Sequence, residues 1–252
     1  MNRINLLIWL LAAMVVTFAA APVYAQDTSS TDGVRFTIAP YILAPSMNGN
    51  MTLRGIGVDV GVGPTDIFDN LKFGFMGYAE LRTGRWGFAF DSIYMNLERG
   101  AQVGTIFGPV GARASVRQGM YEFTGQYRAA PWIDLLAGVR INHVSAEYEV
   151  TPGDLNDDES RTWADPLVGV RLQVPDTGRW LLAVRADIGG FGIGSKLAWQ
   201  VYPTVGYAFS DLFTLAGGYR YLDMDYETGQ GRERFAYDIA TSGPFVGFAF
   251  KF

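Results

Sequence analysis

The sequence predicts an all-β fold, a closed antiparallel transmembrane β-barrel of ten strands with eight or twelve as the alternatives, and three observations predict it. A tight turn followed at once by an aromatic residue recurs along the chain; the strands between these junctions alternate with period two; and the face opposite the apolar one carries charges of both signs. Composition agrees, with 31 Gly, 14% aromatic residues and, past the first residues, no apolar run long enough to cross a bilayer as a helix. Having no Cys, the chain has neither a disulfide framework nor thiolate chemistry, and a formal net charge of −5 without Lys/Arg clusters argues against nucleic acid as a partner.

The first element in order is an export signal. Residues 1–25 carry one positive charge at Arg3, an apolar stretch from Ile4 to Ala21 and the small-x-small pattern Val23-Tyr24-Ala25. Cleavage near Ala25 leaves a polar periplasmic segment, 26–33, and a barrel over 34–252. The expected location is the outer membrane of a Gram-negative bacterium, part of its cell envelope.

The barrel reading begins with strands from Val34 to about Ala44 and from Phe73 to Arg82. Junctions then fall at Gly84-Arg85-Trp86, Pro131-Trp132, Gly178-Arg179-Trp180 and Asp211-Leu212-Phe213, separated by 46, 48 and 33 residues. Each interval holds two strands and a longer loop, so hairpins span 86–129, 132–174, 180–209 and 213–252. An even strand count returns the C-terminus to the side of the short turns, the periplasm. Between Met51 and Val62 the chain alternates like a short hairpin, and 65–71 suits one capped helical turn, an elaborated loop or lid. Two spanning strands in this segment would raise the count to twelve.

Parity assigns the faces. Phe73, Phe75, Gly77, Ala79 and Leu81 form an apolar row against Glu80 and Arg82, and the same dyad runs through the later strands. The charged row comprises Glu80, Asp91, Glu122, Asp134 and Asp187 with Arg82, Arg128, Arg140, Arg171, Arg185, Arg220 and Lys251, expected to meet and pair inside a narrow lumen. Trp86, Trp132, Trp180, Phe213 and Phe252 are expected to form an aromatic girdle at the membrane boundary, because such rings sit well between headgroups and hydrocarbon.

Three patterns invite chemistry. His143, the only histidine, shares a strand face with Ser145 and Glu147, which raises a lipid-modifying hydrolase as an alternative; yet residues i and i+2 stand ~7 Å apart, too far for a nucleophile and its base without bending. Gly189-Gly190-Phe191-Gly192-Ile193-Gly194 has the glycine content of a phosphate loop but no helix after it. The acidic stretch 149–159 could hold a divalent cation but lacks the spacing of a calcium loop. No catalytic residue, metal ligand or cofactor is assigned, and a further alternative is a surface binding module using loops near 46–71, 98–115 and 150–162.

The segments Ala39-Pro40-Tyr41, Gly84-Arg85-Trp86-Gly87, 187–195, 218–226 and the terminal Phe252 resemble the small Gram-negative outer-membrane barrels of the OmpA- and OmpW-like group, over essentially the whole mature chain. The C-terminal run, with Gly247, Phe248, Phe250 and Phe252 alternating, resembles the assembly signal of such proteins; Phe245 stands where a polar residue is usual. The resemblance implies the fold, the location, and as partners outer-membrane lipid and lipopolysaccharide, the barrel-insertion machinery and periplasmic chaperones. It names no solute, since fold does not fix function; the charges expected to pair inside a ten-strand cylinder are what suggest a structural or narrow-pore role.

Overall fold

The computed structural model describes residues 33–53, 55–105, 108–151, 155–175 and 178–252. The expected signal peptide, and all of the 26–33 segment except Gly33, lie outside the described residues. The strands are β1 (Arg35–Leu43), β2 (Ser46–Leu53), β3 (Ile56–Val62), β4 (Leu71–Thr83), β5 (Trp86–Thr105), β6 (Gly108–Ala130), β7 (Ile133–Thr151), β8 (Leu155–Gln173), β9 (Trp180–Gly189), β10 (Leu197–Ala208), β11 (Phe213–Thr228) and β12 (Phe235–Lys251); a short helix α1 (Pro64–Asp69) precedes β4.

Ten of these strands close a cylinder. β4 to β12 pair in sequence, all antiparallel, and β1 pairs both β4 and β12. Closure leaves no open edge around the ring, so every strand there has a neighbour on both sides. The seam is zipped at the chain terminus, where Phe36 N donates to Phe252 O at 3.0 Å and Phe252 N to Phe36 O at 2.8 Å. The hairpins β5–β6, β7–β8, β9–β10 and β11–β12 occupy the predicted intervals, because each turn-aromatic junction holds a tight turn.

The inserted segment is what makes the sequence compatible with both ten and twelve strands. β2 continues the line of β1 along β12, with Leu43 opposite Phe245 and Ser46 opposite Ser242 in unbroken step. At Ala44-Pro45 the line changes its other partner, from β4 to β3, and β2–β3 becomes a hairpin outside the ring. The helix that follows is capped differently from the Thr65-led turn the sequence suggested: Pro64, with no N–H to satisfy, takes the first position, and Asp66 Oδ2 accepts from Gly63 N at 3.1 Å.

Strand lengths make the cylinder lopsided. At ~3.3 Å per residue and a tilt of ~40°, the ten residues of β9 cover ~25 Å, the height of a membrane barrel's apolar band. β5, β6, β7 and β8 run 20, 23, 19 and 19 residues, so half of each stands beyond that band as a tall two-hairpin wall. The stretches 98–115 and 150–162, expected as loops, are therefore mostly extensions of paired strands. Local alternation without a core-facing requirement hides such extensions in sequence.

Within the band the outward face is apolar. Phe36, Ile38, Phe73, Phe75, Phe88, Phe123, Leu135, Val168, Val205, Val246 and Phe248 are all exposed. Large apolar side chains in this number on one continuous surface belong against a partner or a lipid phase rather than water.

Candidate functional site

The candidate site is the lumen, built from the inward row of every strand. Two charged tiers cross it. In the upper tier Arg140 donates to Glu122 Oε2 at 2.8 Å and to Asp187 Oδ1 at 2.5 Å, while Arg185 pairs with Glu122 and, at 3.1 Å, with Asp187. Gln200 Nε2 donates to the same two carboxylates at 2.9 and 2.7 Å, and its Oε1 accepts from Arg220 at 2.7 Å. Arg220 reaches across to Asp91 Oδ2 at 2.8 Å, and Tyr41 Oη donates to the other oxygen of that carboxylate, Oδ1, at 2.7 Å. β1, β5, β6, β7, β9, β10 and β11 are thereby tied together through the middle.

The lower tier lies toward the short turns. Arg171 donates to Glu80 Oε2 at 2.8 Å and Asp134 Oδ2 at 2.6 Å; Arg82 pairs with the same carboxylates, and Arg128 Nε donates to Asp134 at 3.0 Å. Gln126 Oε1 accepts from both Arg82, at 2.7 Å, and Arg171, at 2.9 Å. Of the residues placed in the lumen by parity, the five carboxylates and six guanidiniums all lie in these tiers, and Lys251 lines the cavity below them. Charges taken out of water in this way hold only when paired and hydrogen-bonded, and each of the eleven is.

Above the charges the lumen is apolar, which the alternation rule did not foresee. Ile93, Met95, Met120, Val144, Trp163, Leu222, Met224, Phe235, Tyr237 and Ile239 sit on the inward rows, and Met47 of β2 and Ile67 of α1 pack into the same cluster. Trp163 of β8 stacks on Tyr226 of β11 with ring centroids 4.2 Å apart, and Gln118 of β6 donates to Tyr237 Oη of β12 at 2.9 Å. Side chains from opposite walls touch, so this layer is a plug. Below the charges the lumen opens instead into a cavity of about 700 Å³, lined by the short side chains Thr37 and Ala39 beside the charged wall, by Ala183, Thr204, Ala216 and Ala249 further round the ring, and by Arg35, Arg179 and Lys251 at its mouth.

The remaining sequence-selected residues fall elsewhere. Trp86, Trp132, Trp180 and Phe252 are exposed near the short turns; Phe213 is half-buried, stacked on Phe248 with centroids 5.7 Å apart. Gly247 and Phe250 lie on the β1–β12 seam, opposite Tyr41 and Ile38. His143 is on the outward face, where its Nδ1 meets Thr162 Oγ1 across the strand pair at 2.8 Å; Ser145 stands opposite Ser160, and Glu147 pairs with Arg117. The imidazole therefore engages Thr162 of β8, and the His-Ser arrangement gains no geometric support.

The glycine-rich loop is held by a carboxylate rather than built around a phosphate. Asp165, fully buried on β8, accepts from Ser195 N at 2.5 Å, Ser195 Oγ at 2.9 Å and Asn142 Nδ2 at 3.0 Å. Gly190 has φ +87°, and a Cβ there would meet Ser195 O at 2.5 Å, so this turn needs glycine. In sequence Asp165 is only one more polar residue of an alternating strand. Of the acidic stretch 149–159, residues 152–154 lie outside the described residues, and the rest belongs to β7 and β8.

No protein-family model matches the chain, and no curated protein matches it. Among solved structures it is similar to the outer membrane protease OmpT from Escherichia coli, 10% identical and covering 91% of this chain and 100% of that one, with a TM-score of 0.49. It is similar to Ail, the attachment invasion locus protein of Yersinia pestis, in complex with the heparin analogue sucrose octasulfate: 11% identical, 88% and 100% covered, TM-score 0.40. A third is Neisserial surface protein A, 13% identical, 87% and 99% covered, TM-score 0.32. The strand pairings, not these likenesses, define the fold of this chain.

Proposed function

We propose that the chain is an integral protein of the Gram-negative outer membrane whose barrel is sealed across its lumen and acts structurally rather than as an open pore. The observation that carries this is the coincidence of two features at one height. Outside, a band of apolar side chains as tall as ten residues of β9 runs between exposed aromatics and the polar upper strands; inside, paired charges and an apolar plug bridge opposite walls. Lipid satisfies the first, and only a closed strand ring satisfies lipid.

On this reading Trp86, Trp132, Trp180, Phe213 and Phe252 mark the periplasmic interface, and Gly247, Phe248, Phe250 and Phe252 serve assembly through the insertion machinery and its chaperones. Membership of the OmpA- and OmpW-like group belongs to the same proposal, as do cleavage near Ala25 and contact with lipopolysaccharide. Fractionation with outer membranes, together with a gel mobility that differs before and after boiling, is expected; failure on both counts would refute the membrane placement.

A second reading is favoured by one observation, the tall wall. Strands of 19–23 residues are about twice the spanning length, so β5–β8 present paired backbone well outside the bilayer, as a surface binding module would. Shortening both hairpins should leave the barrel heat-modifiable and abolish any adhesion the intact protein confers.

A further inference from the structure

We propose that the cavity beneath the charged tiers is a binding site for a small organic anion, a carboxylate or phosphate head on a slim apolar body, taken up from the periplasm. The cavity measures about 700 Å³, within the range of small-molecule sites, and the plug above it leaves the short-turn end as its mouth. Its two sides differ. One is the lower tier, where three guanidiniums, Arg82, Arg128 and Arg171, share two carboxylates, Glu80 and Asp134, leaving one positive charge in excess.

The other side is built from Ala183, Ala216, Ala249 and Thr214 of β9, β11 and β12, side chains short enough to leave room for a chain lying along them. Thr214 is 1% exposed, and its Oγ1 has no hydrogen-bond partner. A buried hydroxyl lining a cavity without a partner is a polar group awaiting one. At the mouth Arg35, Arg179 and Lys251 have no ion-pair partner among the described residues, so the entrance carries positive charge that draws anions and repels cations. Sequence parity put charges inside the barrel but gave no cavity, because the short side chains opposite them read only as ordinary strand residues.

The site's orientation rests on the membrane placement proposed above, but binding itself does not. Purified full-length protein in neutral detergent micelles should bind hexyl phosphate, and hexanoate more weakly, while hexanol and hexyltrimethylammonium fail to bind; isothermal titration reads the affinity. The combined Arg35→Gln, Arg179→Gln, Lys251→Gln variant should weaken hexyl phosphate about tenfold and flatten its salt dependence. Ala216→Phe, which fills the cavity, should abolish binding; if that variant loses heat-modifiable folding, Ala183→Leu takes its place. Absence of hexyl phosphate binding, equal binding after the cavity is filled, or equal binding of the cation overturns the proposal. The fractionation test above is independent of all three outcomes.

Discussion

Replacing Glu122 by Leu tests the idea that the lumen is held by its charge balance. Glu122 is 1% exposed and accepts from Arg140 Nε and Nη2 at 3.1 and 2.8 Å, from Arg185, and from Gln200 at 2.9 Å. The upper tier has three guanidiniums, Arg140, Arg185 and Arg220, against Glu122, Asp187 and Asp91. Losing Glu122 leaves three against two, with Asp187 as the remaining carboxylate for both Arg140 and Arg185. Removing one partner of a buried pair strands the other's charge, which costs about 3–5 kcal/mol, well above the ~1 kcal/mol of a neutral hydrogen bond. Glu122→Gln, which keeps an acceptor but no charge, should fall between, at roughly 1.5–3 kcal/mol. Reversible urea unfolding of protein folded into vesicles, followed by Trp fluorescence, gives these differences. Adding Arg185→Leu to Glu122→Leu restores the balance, so the double variant should cost less than the two singles together. A Glu122→Leu barrel within about 1 kcal/mol of the parent, or strictly additive singles, would refute the reasoning.

Two further outcomes follow from close contacts elsewhere. Asp165→Ala strands Ser195 N and Asn142 Nδ2 in a buried site and should cost about 2–4 kcal/mol, read as faster proteolysis at the exposed Phe191 and Ile193 of the loop it pins. At Gly247 a Cβ would meet Tyr41 Cβ at 2.5 Å and Pro40 O at 2.6 Å, so Gly247→Ala should hinder closure of the β1–β12 seam and slow appearance of the compact, heat-modifiable band during refolding.

Much of the fold is legible locally because a membrane barrel writes its rule into each strand. Trp86, Trp132, Trp180 and Phe213 mark where hairpins begin, and Glu80, Glu122 and Arg185 mark the inward row, since a single charge on a ten-residue strand fixes its parity. What is not legible depends on height and on partners far away in sequence. Leu222 and Met224 share the inward row with Arg220, but nothing local says that they meet Ile93 and Trp163 at the level where the lumen turns apolar. β2 is a continuation of β1 only because Ser242 and Ala240 lie opposite it. Asp165 looks like one more lumen charge until Ser195, thirty residues on, folds back to it.

The most direct test of a sealed barrel is electrical. Purified protein, verified as folded by its heat-dependent mobility and reconstituted in planar bilayers, should give no steady unitary currents, because Trp163, Tyr226 and Met224 close the lumen above the ion-paired tiers. Reproducible single-channel steps from the folded protein would contradict that account.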